Sequence, residues 1–317
     1  MKKIILLSLL IVSSTTIDKP TFDLNKAPNQ VEIFAPDIIS TGLFERDIAI
    51  SPKGNEIIYT LSNYDQTLRC LVKMEKKNNS WGAKQILSFS GRYNDIEPFF
   101  TVDGNQLYFA SDRPIDMDST RTDYNIWVCN KSNGTWINPK PLDTIINTKG
   151  DEFYPSLSKN GNLYFTATRE NGIGREDIFT SKNLNGTFQN PVVLDSTINT
   201  ATYEFNAFIS PNEDLLIFSS FRRPDGLGGG DLYYSKKDEN DNWKTSTNLG
   251  ELINSKKLDY CPFVDFNSGN FYFTSSRTIE PTVETFNTVS EFIDNANNPL
   301  NGMGNIYRIS LDKLPFN

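Results

Sequence analysis

Acidic and arginine side chains at fixed intervals are the chemically able groups of this chain. Glu45, Asp95, Glu152, Glu204 and Asp259 recur at intervals of 50, 57, 52 and 55 residues. Arg113, Arg169, Arg222 and Arg277 each stand four residues after a recurring aromatic, with Asn63 in the first copy. A third set, Asn125, Asp177, Asp231 and Asn305, follows a loop later. Carboxylates paired about 5–9.5 Å apart can cleave glycosidic bonds, one as acid and one as base or nucleophile. Guanidinium forks grip carboxylates, whether in a ligand or in the protein itself. Histidine is absent from all 317 residues. That excludes Ser-His-Asp and Cys-His catalysis, His-ligated zinc and His general bases. There is no Gly-x-Ser-x-Gly elbow and no glycine loop leading into a helix to cradle phosphate; Gly226–Gly230 reads as a flexible connection between strands.

These residues belong to a unit written five times: an acid, an apolar run, a polar turn, and a strand closing on an aromatic. The copies run Glu45 to Tyr59, Asp95 to Phe109, Glu152 to Phe165, Glu204 to Phe218 and Asp259 to Phe273. In the third copy Phe153–Leu157 predicts a first strand (a), Leu163–Ala167 a second (b) and Asp177–Thr180 a third (c). Asn185-Gly186 marks a hairpin before a fourth strand (d) that ends near Leu194. Helical periodicity is almost absent. Four-stranded antiparallel units with this period predict an all-β, five-bladed propeller, in which radial repetition hides strand edges. Successive strands reverse direction, so the d-to-a and b-to-c loops share one face. The acids, arginines and strand-c residues are therefore expected as a ring at the channel mouth on that face.

Ring closure is also legible. Ile146-Asn147-Thr148, Ile198-Asn199-Thr200 and Ile253-Asn254-Ser255 each precede an acid, and Ile39-Ser40-Thr41 stands likewise before Glu45. The segment Val31 to Ile39 is thus expected as a displaced fourth strand that completes blade five. Blades are placed near 42–90, 91–148, 149–200, 201–255 and 256–310 plus 31–39, within one domain spanning 18–317. Residues 1–17 combine Met1-Lys2-Lys3, an apolar run and Ser13-Ser14-Thr15-Thr16, the pattern of a secretory signal peptide, too short for a membrane span. The expected location is exported, either periplasmic or at the outer surface. A net charge of −8 opposes a nucleic-acid partner. Cys70, Cys129 and Cys261 fall at non-equivalent repeat positions and are expected as free thiols.

Two readings compete for the ring. In one, each arginine pairs with an acid to fix blade packing, as its presence in nearly every blade suggests. In the other, the ring supplies charge to a ligand held by the unique loops, Asp112 to Tyr124 and Thr278 to Gly304, the latter with a short helix near Thr288 to Ala296. Asp116, Asp118 and Asp123 carry oxygen ligands but lack the spacing of a calcium loop, so no metal site and no cofactor are assigned. A carboxylate pair that breaks the repeat symmetry and has a raised pKa would favour an enzyme over a binding module.

The units DEFYPSLSKNGNLYFTATRENGIGREDIFTSK (Asp151 to Lys182) and TNLGELINSKKLDYCPFVDFNSGNFYFTSSR (Thr247 to Arg277) resemble the WD-like propeller repeats of the TolB type. They are most similar to the form in exported Bacteroidetes-type proteins often linked to OmpA-like domains. The likeness covers residues 42 to 310 and weakens in unit one. It implies a noncatalytic binding or scaffold propeller at the cell envelope, working as a monomer. Its partner would be an envelope or extracellular protein, or a glycan or peptidoglycan-associated one, because TolB binds a peptidoglycan-associated lipoprotein through its propeller. TolB itself has six blades and an extra N-terminal domain, and neither feature is read here. The alternative is a glycoside hydrolase, sialidase-like or five-bladed, using mouth carboxylates. Against the sialidase form, Ser132-Asn133-Gly134-Thr135-Trp136 lacks the Asp and the spacing of an Asp-box.

Overall fold

The computed structural model describes residues 21–115, 122–278 and 285–317; the segment read as a signal peptide, and Asp116 and Asp118, lie outside them. Five antiparallel sheets of four strands radiate around one axis, as the repeat predicts. The innermost strands a are Phe44–Ile50, Asp95–Phe100, Glu152–Leu157, Tyr203–Ile209 and Asp259–Asp265. Strands b are Glu56–Ser62, Gln106–Ser111, Leu163–Ala167, Leu215–Phe221 and Asn270–Ser275. Strands c are Arg69–Lys77, Asn125–Ser132, Asp177–Ser181, Asp231–Lys236 and Asn305–Ser310. Short outer strands d complete the blades at Gln85–Ile86, Thr135–Pro141, Val192–Val193 and Thr247–Asn248.

The outer strand of blade five comes from the other end of the chain. Glu32–Ile33 pairs antiparallel with strand c of that blade, with Glu32 opposite Arg308 and Ile33 opposite Tyr307. Beyond it, Ser40 does for blade five what an asparagine does elsewhere. Asn147, Asn199 and Asn254 accept from the strand-c amides of Ile126, Ile178 and Leu232 at 2.8 Å and donate back to the same residues' carbonyls. Ser40 Oγ makes the equivalent pair with Ile306 at 3.2–3.3 Å. The Ile-Asn-Thr signature is thus a stitch that ties each d-to-a loop to strand c, and the clasp at Ser40 carries it across the seam.

Strand b is sandwiched between neighbouring blades, so it reads as a continuous apolar run rather than an alternating one. Its recurring aromatics Tyr59, Phe109, Phe165, Phe218 and Phe273 are all fully buried. Each contributes on the order of 1.5–3 kcal/mol by area removed from water. The loop between strands b and c of blade five carries helix α1 (Val289–Ala296), capped by Thr288 and Glu291. Val289, Phe292 and Ile293 on that helix remain exposed. No helix among the described residues is long and apolar enough to cross a membrane. The three cysteines are free thiols.

Candidate functional site

The repeated acids close over the loops that precede them. Glu152 accepts from Thr148 N–H at 3.0 Å and Thr148 Oγ1 at 2.6 Å; Glu204 accepts from Thr200 and Asp259 from Ser255 in the same way. Glu45 takes the same two bonds from Thr41. Four of the five acids then meet an arginine: Arg113 with Asp95, Arg169 with Glu152 at 3.3 Å, Arg223 with Glu204 at 2.9 Å, Arg277 with Asp259 at 2.8 Å. The guanidinium lies against the strand-b and strand-c aromatics of its own blade, at 5.0–5.2 Å for Arg169 over Phe165 and Phe179, and at 5.2 and 4.5 Å for Arg223 over Phe218 and Tyr233. Its Nη2 also donates to a loop carbonyl, Ile146, Ile198 or Ile253, at 2.5 Å. All five acids are 0 % exposed. The acids therefore lie inside the blades and do not open on the mouth. Burial raises the carboxyl pKa of Glu45, Asp95 and Glu152, with Thr, Ser and Arg partners pulling the other way.

Blade four corrects the sequence reading. Arg223, not Arg222, holds Glu204, and it takes Ser220 Oγ at 2.8 Å as Arg113 and Arg277 take Ser111 and Ser275. Strand b of this blade runs one residue longer, to Phe221, and Arg222 absorbs the extra residue at φ +66°, its guanidinium over the Phe221 ring. Blade one has no arginine here at all: Asn63 caps its own loop, with its Oδ1 accepting from Leu68 N–H at 3.0 Å. Asp177 and Asp231 face their b-to-c loops, accepting from Ile173 at 2.8 Å and from Leu227 at 2.5 Å. Asn125 and Asn305 hold neighbouring loop atoms, Asp123 and Pro299.

The residues that do line the axis stand two places after each acid. Asp47, Glu97, Tyr154, Asn206 and Cys261 all have left-handed backbone, φ between 51° and 60°. Each sits where strand a slips register against strand b, a β-bulge that turns one extra side chain inward. The bulge amide is bolted to the preceding blade by a strand-b hydroxyl: Glu97 N–H to Thr60 Oγ1 at 3.1 Å, Asn206 to Thr166 at 3.1 Å, Asp47 to Thr274 at 3.4 Å. Blade two carries Ala110 at that position. The Tyr154 amide instead donates to Glu97 Oε2 at 2.7 Å. Glu97 Oε1 accepts from Arg46 Nη2 at 2.8 Å and Asn206 Nδ2 at 3.2 Å. Arg46 Nε reaches Asp47 at 2.7 Å, and its guanidinium lies 5.1 Å over the Tyr260 ring. One guanidinium thus bridges two carboxylates. Burial pushes the Glu97 carboxyl up to about 7 against the pull of Arg46. Burial also raises the thiol of Cys261 and the phenols of Tyr154 and Tyr260, so all three stay protonated.

Above this tier a cavity of about 340 Å³ opens on the face of the d-to-a and b-to-c loops, walled by Phe44, Phe153, Phe205 and Tyr260 with Arg69, Glu176 and Gln66 at its rim. Below it the axis is shut. Phe99, Phe208 and Phe263 meet with ring centroids 6.4 and 5.8 Å apart, and a void of only about 10 Å³ remains between them and Glu97. The channel is a blind funnel. None of Arg46, Asp47, Glu97, Tyr154, Asn206 or Arg69 was singled out by spacing, although Pro98, Pro155 and Pro262, one residue past the bulge in three blades, signalled an irregular strand.

No protein-family model matches the chain, and no curated protein matches it in sequence. Among solved structures it is similar to the putative TolB from Agrobacterium tumefaciens (13% identity, TM-score 0.47, covering 77% of this chain and 73% of that one). It is also similar to TolB from Acinetobacter baumannii (15%, 0.42, 72% and 50%) and an α-L-arabinofuranosidase from Lactobacillus brevis (11%, 0.51, 86% and 92%). The chain spans half the length of the Acinetobacter protein. At these identities the likeness is one of fold. The molecule is a five-bladed β-propeller whose structural neighbours include TolB-type propeller proteins.

Proposed function

We propose that this chain is an exported, noncatalytic binding propeller of the cell envelope, cleaved from a signal peptide at its N-terminus. Its ligand site is the blind funnel on the face of the d-to-a and b-to-c loops. One observation carries this reading. The buried acid position repeats in every blade, whereas the axial bulge two residues on holds five different side chains, Asp47, Glu97, Tyr154, Asn206 and Cys261. A scaffold repeats itself where it needs packing and varies where it meets something asymmetric. The acid and arginine ring then supports the fold and does not touch the ligand. The occupant is a glycan or an exposed segment of an envelope protein. The test is capture from an envelope extract paired with a glycan array. Phe153→Ser with Phe205→Ser in the funnel wall should abolish capture, and Phe266→Ser on the opposite face should leave it intact. Equal capture by both variants overturns the site.

A glycoside hydrolase is the second reading, favoured by the Asp47 and Glu97 pair, which breaks the repeat symmetry, and by the raised pKa of Glu97. Against it, both carboxylates are held by Arg46, and Glu97 receives three donors, leaving it poorly placed to exchange a proton with a substrate. Release of sugar from a glycan panel, stopped by Glu97→Gln in a protein that stays folded, would replace the binding reading with this one.

A further inference from the structure

The rim of the funnel repeats the logic of the bulge tier one level up, and it includes an arginine that makes no ion pair among the described residues. The residue before each strand-c polar position is Arg69 in blade one, Tyr124 in blade two, Glu176 in blade three, and Gly230 and Gly304 in blades four and five. On the glycine side a Cβ at Gly304 would run into the Phe44 ring, and one at Gly230 into Leu258, so that side of the rim is closed by apolar neighbours. On the other side Arg69 reaches the cavity. Its Nη1 donates to Tyr124 Oη at 3.1 Å, and its buried Nε has no hydrogen-bond partner. Arg46 is held by two carboxylates, and Arg113, Arg169, Arg223 and Arg277 by one each. No carboxylate among the described residues pairs with Arg69.

Resting on the binding reading above, we propose that the funnel takes a small ligand bearing a single carboxylate, gripped by Arg69. Arg69 lines the cavity outside the ion pairs that occupy the other arginines named above, and the N–H groups a guanidinium turns to a cavity can grip a carboxylate there. The surrounding acids, Glu97 and Glu176, disfavour a multiply charged phosphate, and one unpaired guanidinium matches one carboxylate. Phe153, Phe205 and Tyr260 offer apolar walls to the rest of the ligand. The volume of about 340 Å³ lies at the lower end of small-molecule sites, roughly 300–1,000 Å³. A uronic sugar and the C-terminal carboxylate of a peptide share this chemistry.

Calorimetric titration of the intact protein separates the sources. The probes are galacturonate and glucuronate against galactose and glucose, and a short peptide with a free against an amidated C-terminus. The carboxylate member of at least one pair should bind about tenfold or more tightly than its neutral match. Arg69→Gln should erase that difference and Arg69→Lys should restore part of it, with thermal melting unchanged in both. The pair that discriminates names the source. Equal binding within every pair, lost in Phe153→Ser with Phe205→Ser, overturns the carboxylate and keeps the funnel. Discrimination that survives Arg69→Gln overturns the role of Arg69. Absence of binding by every probe overturns the carboxylate, while capture from envelope extract then decides the funnel separately.

Discussion

Two positions in strand a, only two residues apart, meet opposite fates. The first is an acid in every blade, fully buried, tied to the loop before it and in four blades to an arginine. The second is a bulge residue with left-handed backbone in every blade, but its side chain is Asp, Glu, Tyr, Asn or Cys. Backbone geometry repeats at both positions, and chemistry repeats only at the first. The difference teaches that symmetry in this fold belongs to the joints between loops and strands, and that the axis is where it is given up. Even there part of the variation is structural, because Glu97 supplies the acceptor that Ala110 lacks.

The comparison breaks most readily at blade four. Arg223→Ala strands the buried Glu204 and should cost about 3–5 kcal/mol in urea denaturation. A loss below about 1 kcal/mol would show that the repeated ring is not what holds the blade. The axial tier should respond less. Glu97→Ala leaves the Tyr154 amide and Asn206 without their acceptor, a loss of about 1–3 kcal/mol. Adding Ala110→Thr should recover part of it by restoring the hydroxyl bolt seen at Thr60, Thr166 and Thr274. No recovery would detach Glu97 from the bolt. Stability near neutral pH sharpens the same point. The Glu97 carboxyl titrates at about 7 in the fold against 4.5 for the ordinary group, so its contribution is full below about 4.5 and is lost as pH rises through 7. Glu97→Gln should flatten the stability profile across that window, and an unchanged slope would refute the raised value. A gain is expected in blade three, where Ala167 stands in place of the serines and Arg169 Nε is unpaired. Ala167→Ser should add about 0.5–1.5 kcal/mol, visible as a higher Tm. Smallest of all, Arg222→Ala should change stability by no more than about 0.5 kcal/mol.

The blades were legible because acid, turn and aromatic recur at nearly constant spacing, and the closing strand because Ile39-Ser40-Thr41 repeats a loop signature at the wrong end of the chain. Arg222 misled because a count from Phe218, or from Ser220 with the two-residue offset of Ser111 and Ser275, misses the extra residue that blade four places between Ser220 and Arg223. The axial tier stayed hidden for a different reason. Its conformation is shared, but a left-handed φ on Asp, Glu, Tyr, Asn or Cys leaves no common residue type to find, and only the prolines that follow three of them mark the place. Arg69 was invisible because what singles it out is its place on the wall of the cavity with no carboxylate paired to it, which is a property of three-dimensional neighbours and not of spacing.

The clasp sets a timetable for the molecule. Glu32 leaves the ribosome 276 residues ahead of its partner Arg308. Contacts at such separation form late and slowly. Until Arg308 has been made, blade five lacks its outer edge, and Phe34 and Ile39 can pack against blade one but not against Tyr272 and Ile306 across the seam. The ring therefore has one committing step, the meeting of Glu32 with Arg308, before which the chain stays open to chaperones and to threading.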